Sequence, residues 1–265
     1  MSRSAGLNEG GIGSPPARAA VAAAMLLALT LLVYIPAMRC GFIWDDDAHV
    51  TRSLVLRDLD GLKQIWSNPL SIPQYYPLVH TTFWAEYQLW GLNATGYHVV
   101  NVVLHALGAV LLWRVLKRLN LPGAWLAAAI FAVHPVHVES VAWVTERKNV
   151  LSMVFYLLAA MAYLRFSPVE GEQRRDWRWY APMLLFFVGA LLSKTVTASL
   201  PAALLVVIWW KRGGRLEWQE VWPPRLASLH NLWRWVRVWW RQIPFQTGRR
   251  DCNCSYSQDS AHDRK

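Results

Sequence analysis

Apolar blocks of near membrane-spanning length set the limits on what this chain can become. They run over Ala19–Met38, Tyr97–Leu116, Ala124–Val144, Val150–Phe166, Trp179–Leu192 and Val196–Trp210. A helix rising ~1.5 Å per residue needs about 20 residues to cross ~30 Å of hydrocarbon. The last two blocks are short, with Lys194 between them. Pro201 and the polar SKTVTAS stretch interrupt the apolar run there, so the region reads as two helices. With 54% hydrophobic and 17% charged residues, the composition is unusual for a soluble domain. The expected fold is all-α, a polytopic membrane protein with about six transmembrane helices.

The connecting segments set domain limits and orientation. Residues 1–18 are small and polar and read as a disordered cytoplasmic tail. The apolar run at 19–38 follows Arg3 and Arg18 as a signal peptide would. It exceeds the usual signal core, and Met38-Arg39-Cys40 is a poor cleavage site, so it reads as a retained helix that opens a membrane domain over 19–210. From 39 to about 94 runs a long loop with helical pieces. Leu54, Val55, Leu59, Leu62, Ile65 and Trp66 recur at helical spacing and fit an interfacial helix. SNPLSIPQYYP breaks the chain, and Leu78–Trp90 resumes as a helix bounded by Gly91. Basic residues gather in alternate loops: Arg114, Lys117 and Arg118, then Arg165, Arg174, Arg175 and Arg178, then Lys211, Arg212 and Arg215. This places the N-terminus in the cytoplasm and the long first loop outside. The net charge of +10 is the product of these loops and does not point to nucleic acid. Residues 211–245 are basic and Trp-rich. The stripe Leu226, Leu229, Trp233, Val236, Trp240 and Ile243 fits a helix lying on an anionic lipid surface, followed by a disordered tail at 246–265. Cys40, Cys252 and Cys254 have no metal-ligand spacing.

In this topology the polar residues of the apolar blocks fall on one side. Asp45, Asp46 and Asp47 leave the first helix in the stretch FIWDDDAH, and three adjacent carboxylates resist desolvation. Tyr75, Tyr76, His80 and Glu86 share that side, as do His98, Asn101 and His105. So do His134, His137, Glu139, Glu146, Arg147, Lys148 and Lys194. A charge well inside a bilayer costs at least ~2.5–3.5 kcal/mol on insertion scales and usually lines a cavity or pairs. The pattern therefore predicts one outward-facing polar cavity. There a carboxylate could take an acceptor's proton while Arg and Lys neutralise a phosphate leaving group. Simpler roles compete. Glu139 alone pairs with Arg147 or Lys148, those two anchor a helix end at headgroups, and Tyr75, Tyr76, Trp84 and Trp90 form an interface belt. His134 and His137 flank Pro135 and make only a weak metal pair. A proton-coupled transporter would use the same ionisable groups, but no internal repeat supports it.

With these residues in view, the chain resembles the membrane part of the transmembrane and tetratricopeptide-repeat family, within the GT-C class of lipid-phosphate-sugar-dependent glycosyltransferases. The matching stretches are FIWDDDAHV, YYPLVHTTFWAEYQLWGLNATGYHVVNVVLHA, AIFAVHPVHVESVAWVTERKNVLSMVFYLLA and LLSKTVTASLPAALLV. HPVHVESVAWVTERK is the most specific. The resemblance implies an inverting transfer of mannose, or another sugar, from a polyprenyl-phosphate carrier to a protein hydroxyl. Asp45 or Asp46 would be the general base, with Asp46 preferred. Arg147, Lys148 and Lys194 would hold the donor phosphate, and His134, His137 and Glu139 would shape the sugar pocket or orient the base. Tyr76 and His80 are assigned to the same sugar and acceptor pocket. Some GT-C branches use a divalent metal and others do not, so no metal site is assigned. The implied partners are the polyprenyl-linked sugar, an acceptor protein and membrane lipids, in a bacterial inner membrane or a eukaryotic endoplasmic reticulum. Family members continue into further helices and a repeat array, so the sequence reads as truncated. The alternative it leaves is a non-catalytic membrane fragment acting through partner proteins.

Overall fold

The computed structural model describes residues 15–169 and 175–213, and every regular element among them is helical. The expectations for residues 1–14, for the basic Trp-rich stretch from 214 and for the tail at 246–265 lie outside the described residues.

Helix α1, Pro15–Val33, is built from Ala and Leu. Its buried face presents Leu26 and Thr30, and Thr30 satisfies its hydroxyl by donating to the Leu26 carbonyl at 2.8 Å. Small residues let it lie close to α5, Ala124–Val133, where Ala124, Ala128 and Ala129 pack around Leu26 and Trp113. Trp125 Nε1 donates to the Ala22 carbonyl at 3.1 Å and fixes the register.

The first loop is a folded cap. Asp58 caps α2, Leu59–Ser67, by accepting from Gly61 N at 2.7 Å. Proline starts α3, Pro77–Trp90, and Gly91 ends it with φ +59, a left-handed conformation that glycine adopts without strain. The helix expected from Leu54 is a short turn at Leu54–Leu56 followed by α2, while α3 covers the expected Leu78–Trp90. Leu56, Ile65, Ile72, Val79 and Phe83 pack with Tyr97, Val144 and Leu151, so the cap sits on the starts of the helices that follow it.

Asn93 caps α4, Ala94–Arg118, by accepting from Thr95 N at 3.2 Å. The helix packs along α7, Arg147–Phe166, which packs in turn on α8, Tyr180–Ser193. An added Cβ at Gly189 would lie 2.9 Å from Phe155 Cδ1, so a larger residue there would force the Phe155 ring to shift.

The single helix expected over Ala124–Val144 is two. Helix α5 stops at Val133, a short turn spans Pro135–His137, and α6 covers Val138–Ala142, with a 52° bend between the two parts. Pro135 has no N–H and pushes His134 into extended backbone (φ −66, ψ 128), which ends the helix. The α7 helix begins at Arg147, earlier than its apolar block. The final region is two helices, α8 and α9 (Leu200–Lys211), parted at Lys194.

Among the described residues, three helices can cross a membrane by length and composition, within Pro16–Val33, Ala94–Arg118 and Val144–Phe166, and the bent α5–α6 pair makes a fourth. At 14 and 12 residues, α8 and α9 individually fall short of that length.

Candidate active site

The segment Val144–Asn149, which leads into α7, organises this end of the bundle. Asp46 is fully buried against it. One carboxylate oxygen accepts from Thr145 N at 2.8 Å and from the Thr145 hydroxyl in a shorter bond, and the other accepts from Ile43 N at 3.0 Å. A buried carboxylate is tolerated where donors meet it in this way. Asp47 is held by Thr51 at 2.9 Å and by Arg52 at 3.0 Å. Asp45 is different. Its side chain is exposed, and among the described residues it accepts no hydrogen bond. Three adjacent carboxylates therefore have three separate environments, and of the three only Asp45 has no side-chain hydrogen bond among the described residues.

Arg147, the first residue of α7, is also fully buried. Its guanidinium has five N–H donors, and five hydrogen bonds occupy them. Nε donates to Asn101 Oδ1, Nη1 to Glu86 Oε1 and to Thr82 Oγ1 at 3.3 Å, and Nη2 to Glu86 Oε2 at 3.0 Å and the Tyr97 carbonyl at 2.8 Å. The Phe83 ring covers it at 4.9 Å. Burial pushes the Glu86 carboxyl up, and the Arg147 guanidinium opposes that rise. Arg147 thus ties α3, α4 and α7 together and has no N–H left for a phosphate. The donor-phosphate role expected for it does not fit this geometry, and neither does its expected partner, because Glu86 takes the place of Glu139.

The neighbouring cations remain open. Lys148 Nζ pairs with Glu146 at 2.9 Å and donates to Gln74 Oε1 at 3.3 Å, which uses two of its three donors. Asn149 Nδ2 donates to Glu146 Oε2 and to Ser140 Oγ at 3.0 Å, while its Oδ1 accepts from Lys194 Nζ. The chain Lys148–Glu146–Asn149–Lys194 therefore brings together two of the lysines read from the sequence. Burial lowers the Lys194 pKa, Glu146 raises it and Lys148 lowers it further. Sequence reasoning assigned no role to Glu146 or Asn149, although both stand in the TERKN run beside the residues it chose.

The histidines divide. His80 is buried with both ring nitrogens engaged, one toward the Tyr76 carbonyl at 3.2 Å and the other toward His49 Nδ1 at 3.3 Å. It supports the floor of the loop and has no nitrogen free for substrate. Of Tyr76, the backbone carbonyl makes that contact, and the side chain is half-buried. Desolvation holds both His49 and His80 at a pKa of about 4, with Lys148 adding to the effect on His49 and His49 to that on His80. His98 ties the Gly41 carbonyl to α4 at 3.3 Å, and Asn101 ties the Trp143 carbonyl at 3.0 Å. His134 is exposed and accepts from Val136 N at 3.2 Å, while His137 lies against Phe131 with ring centroids 4.3 Å apart. Glu139 is exposed and forms no ion pair with a described residue. Among the described residues no three side chains of ligating type come together for a metal.

These features define a helical membrane protein with an exposed carboxylate and two part-buried lysines gathered at one end of its bundle. The chain belongs to the dolichyl-phosphate-mannose-protein mannosyltransferase family, which it matches over residues 73–240, more than half its length. This agrees with the resemblance read from its motifs. The match begins downstream of the acidic loop and runs into the Trp-rich stretch after Trp222, which the motifs alone left unmatched. The chain is 30% identical over 196 residues to a protein O-mannosyl-transferase of Caenorhabditis elegans, covering 69% of this chain and 27% of that protein. It is 32% identical over 198 residues to protein O-mannosyl-transferase Tmtc1 of Drosophila melanogaster, covering 68% and 22%. It is 31% identical over 164 residues to protein O-mannosyl-transferase TMTC2 of Mus musculus, covering 58% and 20%. The chain thus spans from a fifth to just over a quarter of the length of these relatives. No solved structure matches it.

Proposed function

We propose that this end of the bundle transfers mannose from a polyprenyl-phosphate carrier to a Ser or Thr hydroxyl of a protein by inverting displacement. The observation that carries the reading is the division of labour around Val144–Asn149. The segment buries Asp46, leaves Asp45 exposed and holds Lys148 and Lys194 on either side of Glu146 and Asn149. The acceptor oxygen attacks the anomeric carbon, the carbon–oxygen bond to the carrier phosphate breaks, and Asp45 takes the hydroxyl proton. The lysines neutralise the departing phosphate. Asp46 positions the loop through Thr145, so the base role preferred for it from sequence passes to Asp45. Glu139, His134 and His137 edge the acceptor side of the site. The N-terminus is cytoplasmic and the site extracytoplasmic, with α8 and α9 as a pair of short spans completing six.

The test separates the two carboxylates. Asp45→Asn should lower transfer by about 10²–10⁴-fold, the usual range for a general base, with the fold intact. Asp46→Asn should lower thermal stability as well as activity. Full transfer by Asp45→Asn from a labelled polyprenyl-phosphate mannose would overturn the assignment.

A further inference from the structure

We propose that Trp44 and Trp143 form a stacking site for the transferred sugar, an aromatic corner that seats the apolar C–H face of a pyranose beside Asp45. This rests on the transfer reading of the same loop. Trp44 has φ +46, a left-handed conformation that a bulky residue rarely adopts. The turn is imposed from both sides of it: Ile43 N donates to Asp46 Oδ2 at 3.0 Å, and Asp46 N donates to the Ile43 carbonyl at 3.0 Å. Strain of this kind persists where surrounding bonds over-determine it, and it gathers at ligand sites. What it achieves here is the display of an indole, 76% exposed, immediately before the exposed Asp45.

The second wall comes from the far side of the site. The Trp143 ring meets that of Trp44 at 5.2 Å between centroids and 81° between planes, so the two indoles form a right-angled corner. Trp143 directly precedes the turn whose Thr145 grips Asp46, so the Asp46–Thr145 bond fixes both walls. The Trp143 Nε1–H is enclosed and has no acceptor among the described residues. Indole faces carry negative charge density and attract polarised C–H groups. A tryptophan serving only as an interfacial anchor needs neither a strained backbone nor a second ring set square to it.

The experiment uses the whole chain in lipid nanodiscs. Equilibrium binding is measured for labelled polyprenyl-phosphate mannose and for polyprenyl phosphate without sugar, on wild type, Trp44→Ala and Trp44→Phe. Trp44→Ala should weaken the sugar-bearing lipid about tenfold, the scale of one aromatic contact. It should leave the bare lipid phosphate unchanged, and Trp44→Phe should restore most of the loss. Unchanged affinity for both lipids in Trp44→Ala overturns the sugar site, and so does an equal loss for both, which marks a lipid contact or a damaged fold. A wild-type chain that binds neither lipid refutes the transfer reading itself.

Discussion

Replacing Arg147 with methionine removes the hub of a buried network, and its cost can be worked from the partners left behind. Glu86, only 4% exposed, loses both charge-assisted bonds. Breaking a buried ion pair from one side typically costs ~3–5 kcal/mol. Asn101 Oδ1 and the Tyr97 carbonyl lose donors as well, at ~1–3 kcal/mol for a buried group left unsatisfied. Uptake of a proton by Glu86, which burial already favours, relieves part of this. The expected loss for Arg147→Met is therefore about 3–5 kcal/mol. Removing both charges in Arg147→Met/Glu86→Leu should recover most of it, because the desolvation of two ions disappears with them. A four-protein cycle of denaturation in detergent reads the coupling, which should exceed about 2 kcal/mol for residues sharing one network. Binding of polyprenyl phosphate should survive in the double variant. If Arg147→Met kept its stability and lost only lipid-phosphate binding, or if the two single effects simply added, the residue would be a ligand for the donor and not a strut.

The lysines should behave in the opposite way. Lys148→Gln and Lys194→Gln should each raise the donor KM about tenfold or more, the scale of one charge-assisted hydrogen bond, with little change in unfolding midpoint. Unaltered donor KM in both would remove them from the phosphate site. A pH effect follows from the stacked His49–His80 pair, whose native pKa values of about 4 lie below the ordinary value of 6.5. Between those values the unfolded chain binds more protons than the native one, so stability rises with pH there. It is complete above about pH 6.5 and falls as pH drops toward about 4, where each tenfold difference in proton affinity between the two states is worth about 1.4 kcal/mol. Thermal unfolding from about pH 7 to about pH 4.5 should show this slope, and His49→Asn/His80→Asn should flatten it. A slope that persists in that variant would assign the effect to other groups.

Much of this architecture was legible in the sequence because hydrocarbon demands long apolar runs and helices demand a ~3.6-residue period. Those two constraints located α1, α4, α7 and the amphipathic α2, and Gly91 marked the end of α3. The bend at Pro135 was only half legible. The proline was visible, but a kink and a full stop look alike until the His134 backbone is seen in its extended form. The roles of adjacent residues were not legible at all. Along a helical turn neighbours point about 100° apart, so in Arg147-Lys148 one side chain enters the bundle while the next stays at its rim. Which one enters depends on Glu86, 61 residues upstream. The same holds for Asp45 and Asp46, where the inward position is chosen by a threonine far along the chain. Local pattern named the right cluster, and long-range partners divided the work within it.

The Asp46–Thr145 bond joins residues 99 positions apart. During synthesis, at about 5–20 residues per second, roughly 5–20 s separate the emergence of the two. In the proposed topology the acidic loop is therefore carried across the membrane before the turn that shapes it exists. Until the α7 entry arrives, Asp46 has no threonine to receive it. The proposed site becomes whole only after α7 brings Lys148 and the α8–α9 turn brings Lys194 to a loop made long before them.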